Sequence, residues 1–171
     1  VAHIMDCVKN NSILLTKMYR KKFSRELYTK WNQHGIQVAV SFLRQLGYNP
    51  VNFDEAYSSH DFVVEKDGRT FKIECEVTEK WVFRQFPYRY MSVPYGKKDS
   101  QADYYIRTNP KGDALFFMPM RDIFKAPIIR KDTIYTKNEP FFNVDTETLK
   151  LYYYEDGEWY EDDATSDSSC A

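Results

Sequence analysis

Three carboxylates in one short stretch, Asp61, Glu74 and Glu76, have the residue types and spacing to do chemistry. Residues 71–78 read Phe71-Lys72-Ile73-Glu74-Cys75-Glu76-Val77-Thr78, with apolar and polar residues in strict alternation. Successive side chains of a strand point to opposite faces, so Glu74 and Glu76 are same-face neighbours, roughly 7 Å apart. The turn signal Asp67-Gly68 lies between this strand and the preceding apolar run. It predicts a hairpin that carries Asp61 into the adjacent strand, close enough to Glu74 for the two to share one cation. Three converging carboxylates repel one another unless a cation is present, and hard divalent ions such as Mg2+ favour oxygen ligands. The same pattern also describes an ordinary solvated hairpin face, where Glu and Lys are common, and Asp61 could equally cap a turn.

A second chemistry-bearing stretch, Lys80-Trp81-Val82-Phe83-Arg84-Gln85-Phe86-Pro87-Tyr88-Arg89-Tyr90, interleaves cations and aromatics. Such a segment can track a phosphate backbone and stack on bases. It can equally bury its rings and leave the cations outside. The three histidines include His60 beside Asp61 but have neither HxH nor HxxxH spacing, so a zinc site is not expected. Phosphate-cradling Gly-rich loops and the GxSxG nucleophile motif are absent, which leaves nucleotide and serine hydrolysis without support.

The elements that must position these residues can be read from periodicity. Leu15, Tyr19, Phe23, Leu27 and Trp31 recur every four residues and predict an amphipathic helix. A second helix is predicted from Ile36, Ala39, Val40, Leu43 and Leu46, ended by Gly47 and by Asn49-Pro50. A short strand at Val51–Phe53, the hairpin at 61–66 and 70–78, and a short helix around Trp81–Phe86 follow. Further strands are expected at 90–93, 104–107 and 115–119, with a helical turn at 121–125. Leu149–Tyr154 and Glu158–Tyr160 flank Glu155-Asp156-Gly157 as a terminal hairpin.

The bulk composition sets outer limits. The 171 residues suit one domain over 1–160 with an acidic flexible tail at 161–171. Aromatics at 17% supply ample apolar area for a core, which excludes disorder except at the ends. Net charge is −1, but residues 1–48 carry eight Lys/Arg and residues 143–171 carry nine acids against Lys150. That polarity fits a polyanion-binding face with an acidic tail, or two solvated faces. Cys7, Cys75 and Cys170 form neither a disulfide framework nor a zinc ribbon, and Cys75 lies on the apolar face of its strand. A reducing cytoplasm and no membrane partner are therefore expected.

The order helix, short strand, Asp-bearing strand, Glu-x-Glu strand and helix-like segment resembles the PD-(D/E)XK nuclease superfamily, over about residues 14–120. Asp61 matches that family's Asp, Glu74 the first residue of its second motif, and Glu76 stands where Lys is usual. Gly35-Ile36-Gln37 through Leu46-Gly47-Tyr48 looks like the family's first core helix, with Gln37 in place of an inward Glu. Val93-Pro94-Tyr95-Gly96-Lys97-Lys98 and Ala102–Ile106 are similar to its closing strands. The resemblance implies an α/β (α+β) restriction-endonuclease-like core: a mixed central sheet flanked by helices, here with a C-terminal β-hairpin extension.

It implies a metal-dependent nuclease hydrolysing phosphodiester bonds in DNA, branched or single-stranded forms included. Mg2+ or Mn2+ would be held by Asp61, Glu74 and Glu76, with Gln37 in support. Lys72, Lys80, Lys97 or Lys98 would supply the missing ammonium, Lys97 serving as the phosphate contact. Lys80, Arg84, Arg89 and Lys98 would bind nucleic acid. A small stand-alone core suggests a phage, mobile-element or repair setting in a bacterial or phage-infected cell, with a homodimer compatible. The alternatives are a catalytically inactive nucleic-acid-binding module and a protein-interaction or inhibitory factor.

Overall fold

An apolar stripe at helical spacing requires a covering surface, and the 21-residue helix α1 (Arg25–Gln45) buries Val38, Ala39, Phe42 and Leu43 against a sheet. These features come from a computed structural model, which describes residues 25–51 and 61–162. The two helices read from the sequence are one over this range: α1 runs unbroken through Trp31 and Gly35. Nothing in the stretch between them lacks a backbone donor, so no physical break exists there. Residues 15–24 of the first expected helix lie outside the described residues, and its Leu27 is exposed. Gly35 is required by a close approach: a Cβ there would sit 2.9 Å from Val77 Cγ2 and 3.3 Å from Cys75 Sγ. At the other end Gly47 takes φ +87°, and the Tyr48 amide donates back to the Leu43 carbonyl at 2.9 Å, closing the helix as expected.

Ten strands follow among the described residues: β1 (Asn49–Val51), β2 (Phe62–Lys66), β3 (Arg69–Val77), β4 (Tyr90–Pro94), β5 (Tyr104–Thr108), β6 (Ala114–Pro119), β7 (Ile128–Lys131), β8 (Glu139–Asp145), β9 (Leu151–Glu155) and β10 (Glu158–Glu161). A short helix α2 (Met120–Ile123) sits between β6 and β7. Seven strands form a mixed sheet in the order β1-β2-β3-β5-β6-β9-β10, and three form a second sheet in the order β4-β8-β7. Within the large sheet only β3 and β5 run parallel, joined by a crossover of residues 78–103 that contains β4 and a 3-10 turn at Tyr95–Asp99. The β2–β3 hairpin turns at Asp67 (φ +53°) and Gly68 (φ +73°), a tight turn with two left-handed residues. Pro50 is accommodated because β1 is an edge strand.

Apolar side chains fill both faces of the large sheet. α1, Phe62, Val64, Ile73, Cys75, Ile106, Leu115 and Trp159 form one core. Trp81, Met91, Val93, Tyr105, Phe116, Met118, Ile123 and Phe142 form the other, between the two sheets. Of the helices expected to flank the sheet, α1 covers one face among the described residues, and the small β-sheet covers the other. The fold is α+β, with few helices and a mixed sheet.

The helix expected at Trp81–Phe86 is also corrected. The segment is a run of turns and bends, with Trp81 stacked at 5.3 Å on Phe116 and its indole N–H donating to the Arg84 carbonyl. Burying Trp81, together with Pro87, overrides the weak helical periodicity. β7 and β8, unforeseen in the sequence, complete the second sheet. Within the described residues no helix is long and apolar enough to cross a membrane. Most of the predicted acidic tail lies outside the described residues, but Glu161 belongs to β10.

Candidate functional site

The alternation of β3 divides its side chains as read from the sequence. Phe71, Ile73 and Cys75 pack toward α1, so Glu74 and Glu76 face the opposite way, toward the second sheet. β2 and β3 pair with Phe62 opposite Ile73, and one further step of this register sets Asp61 opposite Glu74. Asp61 is fixed there by backbone and side chain: its amide donates to the Ile73 carbonyl at 2.9 Å, and its carboxylate Oδ2 accepts the Cys75 amide at 2.7 Å. The parallel partner β5 contributes the rest of the patch, with Tyr105 opposite Glu74 and Arg107 opposite Glu76.

Glu74 is nearly buried, and its carboxylate is met by the ammonium of Lys97, which also lies 3.4 Å from Glu76 Oε1. Lys97 comes from the 3-10 turn of the crossover, so the parallel β3–β5 connection delivers the cation to the carboxylates. Burial pulls the Lys97 ammonium below its ordinary pKa; nearby Asp61 opposes this and Arg107 adds to it. The Asp61 charge is thus felt at Lys97 as well. Glu76 is held from its other side, where Oε2 accepts the Tyr105 hydroxyl at 2.8 Å and lies 2.9 Å from Arg107 Nη2.

Arg107 donates further to Thr78 Oγ1, the Ser92 carbonyl and the Tyr105 hydroxyl, while its buried Nε has no hydrogen-bond partner among the described residues. Burial pushes the Tyr105 hydroxyl well above its usual pKa, with the Glu76 charge adding to the effect, so Tyr105 remains a donor. Burial likewise pushes the Cys75 thiol up, Asp61 and Glu76 reinforcing it, which leaves that cysteine an inert core group.

Four sequence-predicted residues, Asp61, Glu74, Glu76 and Lys97, therefore meet in one patch. Two others, Tyr105 and Arg107, were missed. Their signal was the alternation Tyr105-Ile106-Arg107, which becomes informative only once β5 is known to lie beside β3. The remaining candidates are placed elsewhere. Gln37 is exposed on α1, which covers the opposite face of the sheet. Lys72 bonds Gln101 at 3.1 Å, Lys80 is exposed in a turn, and Lys98 lies over the Tyr95 ring.

Arg84 pairs with Glu155 at 3.4 Å and lies over Tyr153. Arg89 pairs with Asp145 and Glu147. Acids of the C-terminal third thus offset both arginines, a consequence of tertiary placement that their sequence neighbours conceal. His60 lies outside the described residues.

No group of three or more His, Cys, Asp and Glu side chains among the described residues is arranged to hold a metal. Each of the three carboxylates is already engaged: Asp61 by the Cys75 amide, Glu74 by Lys97, and Glu76 by Tyr105 and Arg107. Asp61 and Glu74 are hard oxygen donors, the type that Mg2+ takes when it binds one or two carboxylates and keeps several waters. Comparison with protein-family models, with curated proteins and with solved structures finds no match for this chain.

Proposed function

We propose that the protein is a metal-dependent nuclease that hydrolyses phosphodiester bonds in DNA. The observation that carries this reading is the meeting of Lys97 with Glu74 beside Asp61: two carboxylates on paired strands, with an ammonium brought to them from the crossover. The usual motif lysine is absent from position 76, and Lys97 supplies an equivalent charge from a different element. The strand order adds support, because the antiparallel β1–β2–β3 run beside a parallel β5 suits a restriction-endonuclease-like core.

Asp61 and Glu74 would hold Mg2+ or Mn2+; such an ion, when bound, supplies Lewis-acid activation of a water and offsets phosphoryl charge. The chain's own contribution is electrostatic positioning. Lys97 places a partly desolvated positive charge where phosphoryl oxygens gain negative charge, and a preorganised charge in such a setting lowers the barrier. Glu76, tied to Tyr105 and Arg107, serves as the second counter-ion of Lys97 and keeps it over the site. In this reading Glu76 is a positioning residue, not a ligand.

A second reading, a nucleic-acid-binding module without catalysis, is favoured by one observation: Lys97 pairs directly with Glu74, one of the two carboxylates a metal would need. The two are separated by incubating linear, circular, single-stranded and branched DNA with Mg2+ or Mn2+. Cleavage that Asp61→Ala and Glu74→Ala abolish is expected, together with a metal-dependent rise in Tm that Glu74→Gln removes. An equal Tm rise in wild type and Glu74→Gln, with no cleavage of any substrate, would leave the binding module as the better description.

A further inference from the structure

The β7–β8 hairpin contributes no side chain to the carboxylate patch, and its tip is internally bonded. Its tip, residues 132–138, is closed by a network of internal bonds. Thr133 Oγ1 accepts the amides of Tyr135 and Thr136, and the Thr133 amide donates to the Thr136 carbonyl at 2.8 Å. This frame holds two apolar side chains out in solvent, Ile134 at 46% and Tyr135 at 54% exposure. Ile134 and Tyr135 stand next to each other on this tip, and both are accessible to a partner.

The charges around the tip indicate the partner. The two acids at the tip accept neutral donors and keep their charge, Asp132 Oδ1 taking the Asn138 amide at 2.8 Å and Glu139 Oε2 the Thr133 hydroxyl at 3.1 Å, while the hairpin's third acid, Asp145, pairs with Arg89. Three cations, Arg130, Lys131 and Lys137, outnumber the two acids at the tip. Arg130 donates to the Asn138 carbonyl and Lys131 to Ser92 Oγ, and neither they nor Lys137 form an ion pair among the described residues. This is the reverse of Arg84 and Arg89, whose charge is spent on acids of the same chain. The hairpin is also continuous with the site: Lys131 bonds the Ser92 hydroxyl at 2.7 Å, and the Ser92 carbonyl accepts Arg107, which holds Glu76.

We propose that the β7–β8 hairpin is a duplex-DNA arm, in which Arg130, Lys131 and Lys137 contact phosphates and Ile134-Tyr135 enters a groove as an apolar wedge. This rests on the reading of DNA as the substrate and specifies which form of it is bound. A two-stranded ribbon matches the width of a DNA major groove, and apolar side chains inserted at base steps are a known means of gripping and bending a duplex. Cations without acidic partners are the ones whose binding to phosphate releases counter-ions.

The test uses the full chain and a fluorescent duplex, with its single strand for comparison, measured by anisotropy in EDTA over a range of salt. Arg130→Ala/Lys137→Ala is expected to weaken duplex binding by about tenfold at low salt and to flatten the salt slope by about two. Ile134→Ser/Tyr135→Ser should weaken duplex binding more than single-strand binding and leave the slope unchanged, because it removes no charge. Lys137→Glu, at an exposed loop position, provides a milder variant whose fold is not at risk. Unchanged duplex affinity in all three variants would overturn the proposal, as would displacement of the duplex by poly-L-glutamate at equal charge, which would indicate an acidic protein surface instead. Cleavage is assayed separately in Mg2+. Cleavage without hairpin dependence overturns the arm alone, whereas hairpin-dependent binding without cleavage overturns the nuclease reading and leaves the arm standing.

Discussion

Glu74 and Lys97 depend on each other, because each would otherwise be a charge largely removed from water. The Lys97 ammonium has its pKa lowered first by burial, and Glu74 is its nearest counter-ion. Removing one partner of a well-buried pair costs several kcal/mol. Lys97 retains 28% exposure, so Glu74→Gln is expected to cost less, about 2 kcal/mol near pH 7. The pH dependence carries a definite sign. Without Glu74 the folded-state pKa of Lys97 falls further, so the variant's native state binds fewer protons than the wild-type native state. The destabilisation should therefore shrink as pH rises through that lowered pKa, where Lys97 is neutral and needs no partner. Denaturant melts of both proteins from pH 7 to pH 10 measure this, and a pH-independent difference would show that the pair is not its source.

At the level of elements, the packing of α1 on β3 decides whether Cys75 is sealed and Glu74 faces the other way. Gly35 is the pivot, and two effects oppose each other at that position. Alanine would gain about 1 kcal/mol of helix propensity. Its Cβ would also lie 2.9 Å from Val77 Cγ2, inside any comfortable contact, and overpacking of this kind costs about 1–3 kcal/mol. Gly35→Ala is expected to be destabilising on balance, and the loss should be smaller in a Val77→Ala background, where the opposing methyl is gone. A double-mutant cycle measures this coupling. Stabilisation by Gly35→Ala alone would mean that the helix stands further from the sheet.

For the molecule as a whole, the terminal hairpin is part of the framework and not an appendage. β9 pairs with β6, and Trp159 of β10 packs at 5.6 Å on Phe42 of α1. Gln45 serves β10 as a side-chain extension of the ladder: its Nε2 donates to the Trp159 carbonyl at 2.7 Å, and its Oε1 accepts the Trp159 amide at 2.6 Å. Ending the chain after Lys150 would expose Phe42, Leu115 and Phe116 together, opening both cores at once. The truncated protein should lose its cooperative thermal transition and bind ANS, as loosely packed states do. A sharp transition within a few degrees of the intact chain would show that the hairpin is dispensable.

Local pattern alone determined a good deal. Period-two alternation placed Glu74 and Glu76 on one face with Cys75 on the other, Asp67-Gly68 set the turn, and the resulting register brought Asp61 across from Glu74. Gly47 ended the helix, and Glu155-Asp156-Gly157 marked the last hairpin. These features depend on neighbours within a few residues, where periodicity and turn chemistry act directly.

The rest was decided by contacts between distant residues. β5 lies parallel to β3, an arrangement no local signal encodes, and it alone brings Tyr105 and Arg107 to Glu76 and carries Lys97 to Glu74. Several lysines fitted the missing ammonium equally well in the sequence, because charge type is local but position in space is not. One face of the large sheet is covered by a second β-sheet because β4 finds β8 across dozens of residues, whereas β7 joins β8 through a local hairpin. Pairing over such separations depends on which surfaces remain uncovered after the large sheet has formed, and the alternation within any single strand does not contain that information.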